Sequence, residues 1–137
     1  MPDIAIQHPL EEFPDLHSSD SRKRLARMIM RLFAHWQIST AEQARLLGLS
    51  PSCRTTLSRY RAGNPLADNM DLLARVGHLL AIHKSLRILF PYDRDLAYAW
   101  VSQPSSRFEG QRPLDLMTQG YEGLLAVRRY LDFERGR

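Results

Sequence analysis

Ser50 to Gly63, SPSCRTTLSRYRAG, brings together three arginines, several hydroxyl side chains and one cysteine. Three chemistries fit such a stretch: a solvated basic surface, a reactive thiol, or a helix lying against nucleic acid. On a helical wheel Cys53, Leu57 and Tyr60 fall within an arc of about 60° and make an apolar face. Thr55, Ser58 and Arg59 centre the opposite face, and Arg54 and Arg61 lie on one flank. Short polar side chains and arginine reach base edges, while flanking arginines neutralise phosphate. No acid occurs between Glu42 and Asp68, so nothing in the stretch repels phosphate. Cys53 sits on the apolar side and reads as a small hydrophobe. A nucleophilic thiol needs an adjacent base, and none is supplied locally. A plain solvated basic helix remains the alternative.

Other chemistries find less support. His78 and His83 are five apart, about 140° around a helix, so they do not share a metal-binding face. His83 lies on an apolar stripe and reads as a hydrogen-bonded core residue. No phosphate-cradling glycine loop or metalloprotease motif is present. We therefore expect no catalytic residues, no metal and no cofactor. One cysteine among 137 residues excludes an internal disulfide framework. No apolar run approaches the roughly 20 residues of a membrane span, and the N-terminus carries acids but no Lys or Arg, unlike a secretory signal. A cytoplasmic protein without membrane contact is expected.

The net charge of +4 is unevenly spread. Residues 1–20 carry five acids and no base, whereas residues 21–63 carry nine bases and one acid. Focused basic charge attracts polyanions, of which nucleic acid is the commonest.

The elements that must position these residues read as helices throughout. Residues 1–18, with Pro2, Pro9 and Pro14, suggest an extended acidic arm. From Ser21, Leu25, Met28, Ile29, Leu32, Phe33 and Trp36 form one stripe at spacings of three and four. In ISTAEQARLLG, Ser39 and Glu42 fit a capping box and Gly48 a left-handed stop, with Ala44 small enough for a close helix crossing. Ser50 is placed as the cap of the next helix, with Pro51 at its first position and Gly63 at its end. A long helix follows, striped by Leu72, Val76, Leu79, His83, Leu86 and Phe90, widened by Leu73, Leu80 and Leu89, and stopped by Pro91. Its apolar circumference exceeds what a small monomer covers, which predicts a two-fold dimer. DRDLAYAWVSQP reads as a fifth helix ending at Pro104, and Pro113 to Met117 start a short one. Gly120 and Gly123 separate it from the last helix, LLAVRRYLDFERGR. There Leu124, Val127 and Leu131 make one stripe, and Leu125, Ala126, Tyr130 and Phe133 cover much of the rest. That second apolar side faces either the bundle or a partner. The class is all-α, a helical bundle.

A helix, a glycine turn and a basic helix ending in glycine resemble the helix-turn-helix of Xre and phage-repressor proteins. AEQARLLGLS and LSRYRAG carry the likeness, although the Gly48–Gly63 interval is about three residues longer than usual. The turn or the start of the recognition helix must absorb that excess, leaving open which of Ser52, Arg54 and Thr55 face DNA. The second half, with Trp100, Pro104, Phe108, Gly110, Pro113 to Met117 and Gly120, resembles the Xre/MbcA/ParS antitoxin family. The likeness spans about residues 24–134. It implies an antitoxin that binds and inhibits a toxin, typically of the RES class that consumes NAD, and represses its own operon as a homodimer on operator DNA. Residues 1–18 would be the arm, 19–66 the helix-turn-helix, and 67–137 the dimerisation and toxin-binding part. DNA contact is expected at Arg54, Thr55, Ser58, Arg59 and Arg61. Toxin contact is expected at Phe108, Arg112, Arg128, Arg129, Tyr130, Phe133 and Arg135. The C-terminal arginines either replace substrate phosphates in the toxin or form a solvated tail. A helix-turn-helix repressor without a toxin partner is the competing reading.

Overall fold

The computed structural model describes residues 10, 13 and 15–137. Its elements run α1 (Ser19–Trp36), α2 (Thr40–Leu46), α3 (Arg54–Arg61), α4 (Met70–Leu89), α5 (Arg94–Ala99), α6 (Pro113–Gln119) and α7 (Tyr121–Arg135), with 3-10 turns at Trp100–Ser102 and Ser106–Phe108. No strand occurs among the described residues, so the all-α reading holds.

The local signals produce these helices for identifiable reasons. Ser18 caps α1 by accepting from the Ser21 amide at 3.1 Å. Leu25, Ile29, Leu32, Phe33 and Trp36 are buried along it, but Met28 is 39% exposed. The buried face turns instead toward Ala26 and Met30, leaving Met28 at its edge. The capping box forms at α2: the Glu42 amide donates to Ser39 Oγ at 3.1 Å, and the Ser39 amide to Glu42 Oε1 at 2.9 Å. Gly48 then takes a left-handed φ of 69°, a conformation that costs glycine nothing.

Four expectations are corrected. Ser50 does not cap α3. It opens a turn in which the Cys53 amide donates to the Ser50 carbonyl at 3.1 Å and Ser50 Oγ meets Ser52 Oγ at 2.9 Å. The helix begins only at Arg54, so this turn absorbs the extra length after Gly48. The fifth helix tightens into a 3-10 turn from Trp100 to Ser102. Gly123 does not interrupt the last helix but lies inside α7. In the described part of the arm, Phe13 is buried beneath Arg24, and its amide donates to the Leu10 carbonyl at 3.1 Å. Phe13 is thus packed on the bundle rather than held out in an extended arm. The rest of the arm lies outside the described residues.

α4 is the axis of the fold, packed by α1, α5 and α7. Residues all round it, from Leu72 and Leu73 to Ser85 and Leu86, are buried within one chain. Most of its apolar circumference is therefore covered without a second copy, only Met70 and Ile88 being exposed near its ends, and α4 by itself gives little reason for a dimer.

His83, expected to be a hydrogen-bonded core residue, is held by stacking. Tyr98 lies on its ring at 5.1 Å and 12°, and His35 also stacks on Tyr98, at 4.2 Å. Its buried Nδ1 has no hydrogen-bond partner. Burial, then the charges of Arg87, His35 and Arg94, lower its pKa to about 4. The unfolded ring titrates near about 6.5, so below that pH the unfolded chain binds more protons. Stability contributed by neutral His83 is thus complete above about pH 6.5 and lost as pH falls toward its folded pKa. His83→Phe keeps a ring for Tyr98 but cannot protonate. We expect its urea midpoint to fall less than the wild type's between about pH 7 and about pH 4.5. Parallel curves would show that His83 does not carry this acid sensitivity.

Candidate functional site

The α3 surface is built by burying one side of a short helix. Leu57 is fully buried and Tyr60 nearly so, both in the common core. Tyr60 also reaches the following loop, its Oη accepting from the Ala67 amide at 3.4 Å. The loop is tied back to α1 by Arg22, whose Nη1 donates to the Leu66 carbonyl at 2.8 Å. Docked this way, α3 turns Arg54, Thr55, Ser58, Arg59 and Arg61 to solvent. None of the three arginines makes an ion pair or side-chain hydrogen bond among the described residues. Among the described residues, therefore, nothing neutralises their charge. Cys53 is half-buried and packs against the core.

The residues expected to contact a protein partner divide into two groups. Phe108 and Tyr130 come together edge to face at 5.3 Å, and Trp100 completes the cluster, 6.2 Å from Phe108 and stacked on Tyr130 at 6.3 Å. Burial, followed by Glu134, raises the Tyr130 hydroxyl's pKa above its ordinary value. On the same helix Phe133 is 66% exposed, and Arg129 also faces solvent. Leu124, Val127 and Leu131 form the buried side of α7. Of its second apolar side, Tyr130 packs into that cluster, while Phe133 is left uncovered.

Arg112, Arg128 and Arg135 are engaged inside the chain instead. Arg128 donates through Nη1 to His78 Nδ1 at 2.7 Å and pairs with Asp132 at 3.5 Å, its side chain only 13% exposed. Since arginine only donates, His78 Nδ1 accepts, and the ring hydrogen on Nε2 points to the Tyr121 hydroxyl at 2.7 Å. Arg135 Nη1 donates to the fully buried Ser85 Oγ at 3.2 Å. Arg112 is clasped by Asp115 at 2.6 Å and reaches Glu42 at 3.5 Å. These contacts bridge residues up to 70 apart in sequence, so charge patterning alone does not reveal them. Trp100, absent from the expected contact residues, anchors the aromatic cluster. Its position between the fifth helix and the Phe108 turn was the available signal.

No group of His, Cys, Asp and Glu suited to a metal occurs among the described residues. Among them no helix is long and apolar enough to cross a membrane. Over 122 residues the chain is 38% identical to uncharacterized protein y4oB of Sinorhizobium fredii (strain NBRC 101917 / NGR234), covering 87% of this chain and 92% of that protein. Residues 15–81 match the antitoxin Xre-like helix-turn-helix domain, and residues 85–137 match the antitoxin Xre/MbcA/ParS C-terminal toxin-binding domain. With a helix-turn-helix ending in an exposed basic helix and a C-terminal pair of helices presenting aromatic surface, this chain belongs to the Xre/MbcA/ParS antitoxins.

Proposed function

We propose that this cytoplasmic antitoxin inhibits a RES-class, NAD-consuming toxin and represses its own operon, reading the operator with α3. The observation that carries the DNA half is the exposed face of Thr55, Ser58 and Arg59, flanked by Arg54 and Arg61 and free of ion pairs among the described residues. Thr55, Ser58 and Arg59 read base edges, and Arg54 and Arg61 neutralise phosphates. A homodimer fits because two such helices pair half-sites about one DNA turn apart. The toxin half rests on the uncovered side of α7, where Phe133 and Arg129 extend beyond the Trp100–Phe108–Tyr130 cluster. The residues of the C-terminal half divide between that surface and its internal support, with Arg112, Arg128 and Arg135 in the second role.

Arg59→Ala is expected to weaken operator binding by about 1–3 kcal/mol and relax preference at one base position. Arg54→Ala and Arg61→Ala should weaken binding to every sequence alike, each lowering the salt slope by about one. Titration of a selected duplex and a random duplex at several salt concentrations separates these effects. A triple alanine variant at 54, 59 and 61 that still retards the selected duplex normally removes α3 from DNA reading. For the toxin, co-expression with the product of the adjacent reading frame is expected to yield a complex. NAD should fall in cells when that product is made alone and hold when the antitoxin is present.

A further inference from the structure

α2, the first helix of the helix-turn-helix, is only seven residues long. So short a helix has little stability of its own and takes its orientation from what packs on it. It packs against α3 on one side and against α6, from the C-terminal half, on the other. Both of its ends are also held from outside the helix-turn-helix. At the N-terminus Glu42 divides its carboxylate: Oε1 accepts from the Ser39 amide at 2.9 Å in the capping box, and Oε2 faces Arg112 Nη2 at 3.5 Å. Arg112 opens α6 and is itself fixed, its Nε and Nη2 donating to the Asp115 carboxylate at 2.6–3.2 Å. At the C-terminus Gly48 lies directly against Arg75 of α4, whose Nε would stand 2.7 Å from any Cβ placed there. Arg75 is held in turn by Asp71 at 2.9 Å and lies over the Tyr121 ring at 5.2 Å.

We infer that Arg112 and Arg75 are positioning residues for DNA reading: from α6 and α4 they clamp the two ends of α2 and so set the angle at which α3 is presented. The inference rests on the reading of α3 as the DNA-contacting helix. Each arginine is already engaged by a carboxylate within the chain, which assigns it positioning rather than phosphate contact. Base readout needs side chains placed to within a fraction of an ångström, whereas phosphate attraction tolerates small rotations. Loosening the clamp therefore costs discrimination between sequences before it costs general attraction. By linkage, any partner that takes Arg112 from Glu42 alters DNA discrimination, and DNA alters that partner's affinity by the same factor.

The test uses the full chain, one duplex selected by it from random sequence, and one random duplex of equal length. Arg112→Gln and Arg75→Gln are each expected to lower the ratio of the two affinities about fivefold or more, the lower end of coupling between linked sites. Affinity for the random duplex and its salt slope should be unchanged. Glu42→Gln keeps an oxygen for the Ser39 amide but loses the charge facing Arg112. It should reproduce the Arg112→Gln defect without adding to it in the double variant. Arg112→Lys, retaining the charge, should restore most of the discrimination. If Arg112→Gln lowers the melting temperature strongly, Glu42→Gln gives the reading without touching α6. Unchanged discrimination in Glu42→Gln and Arg75→Gln overturns the inference. A salt slope lowered by about one in either arginine variant would make that arginine a phosphate contact and also overturn it. A wild-type chain that selects no duplex defeats the DNA reading itself, and the clamp with it. A chain that selects normally but ignores the clamp substitutions defeats the clamp alone.

Discussion

Gly123→Ala is expected to destabilise the protein by about 3 kcal/mol, although alanine is the better helix former. Gly123 lies one turn into α7, where the helix crosses α6. A Cβ at this position would stand 1.9 Å from the Leu116 carbonyl oxygen and 2.7 Å from its carbon. Those atoms are backbone and cannot rotate aside, so α6 and α7 must separate. Separation opens the contact made by Leu114 and Met117 of α6 with Leu124 and Val127 of α7, all at most 1% exposed. Without the clash, alanine in a helix interior would gain up to about 1 kcal/mol. The sign of the change therefore decides whether the close crossing exists. Urea denaturation of Gly123→Ala beside Gly120→Ala makes the comparison. A Cβ at Gly120 meets nothing within 4 Å, and that backbone is extended. Gly120→Ala should therefore stay within about half a kcal/mol of wild type. A stabilised Gly123→Ala would mean that α7 does not approach the α6 backbone.

The second large effect separates neighbours of identical type. Arg128→Glu is expected to cost about 2–4 kcal/mol, while Arg129→Glu costs within about half a kcal/mol. Arg128 is mostly buried, holding His78 at 2.7 Å across the α4–α7 contact and Asp132 of its own helix at 3.5 Å. Reversal leaves the His78 acceptor facing a carboxylate and sets that carboxylate beside Asp132. Arg129 faces solvent, and reversal there leaves the interior intact. This contrast also frames the test of the partner surface. Arg129→Glu with Phe133→Ala alters two exposed side chains, so the variant should fold and bind DNA as wild type does. Reversed charge and a lost aromatic anchor should disrupt a tight interface. The expected result is loss of protection against the co-expressed toxin with melting temperature and operator binding unchanged. Full protection would move the partner surface off this side of α7. Equal melting temperatures for Arg128→Glu and Arg129→Glu would show that the Arg128–His78 link contributes nothing.

What the residues determined by themselves is local. The Ser39–Glu42 capping box, the left-handed Gly48, the stripe of α1 and the outward arginines of α3 each depend on residues within about one or two turns of each other. Their spacing states the geometry, and the helices carry it into the fold with one change, the turn of the α1 stripe that leaves Met28 at its edge. The concentration of bases in residues 21–63 is equally independent of tertiary structure, because net charge sums whatever the arrangement. Ser50-Pro51 marks where locality stops sufficing: a serine before proline serves a helix cap and a turn alike. The chain takes the turn and starts α3 at Arg54. Gly123 reads as a break from its neighbours alone, since glycine weakens an isolated helix. Only the Leu116 carbonyl on another helix makes its missing side chain a packing requirement. Arg112, Arg128 and Arg135 look like Arg129 in sequence, yet three are held inside the chain and one is not. Their partners Glu42, His78 and Ser85 lie 50 to 70 residues away. The strength of such a charge contact depends on distance and local dielectric, and only the packed helices set both.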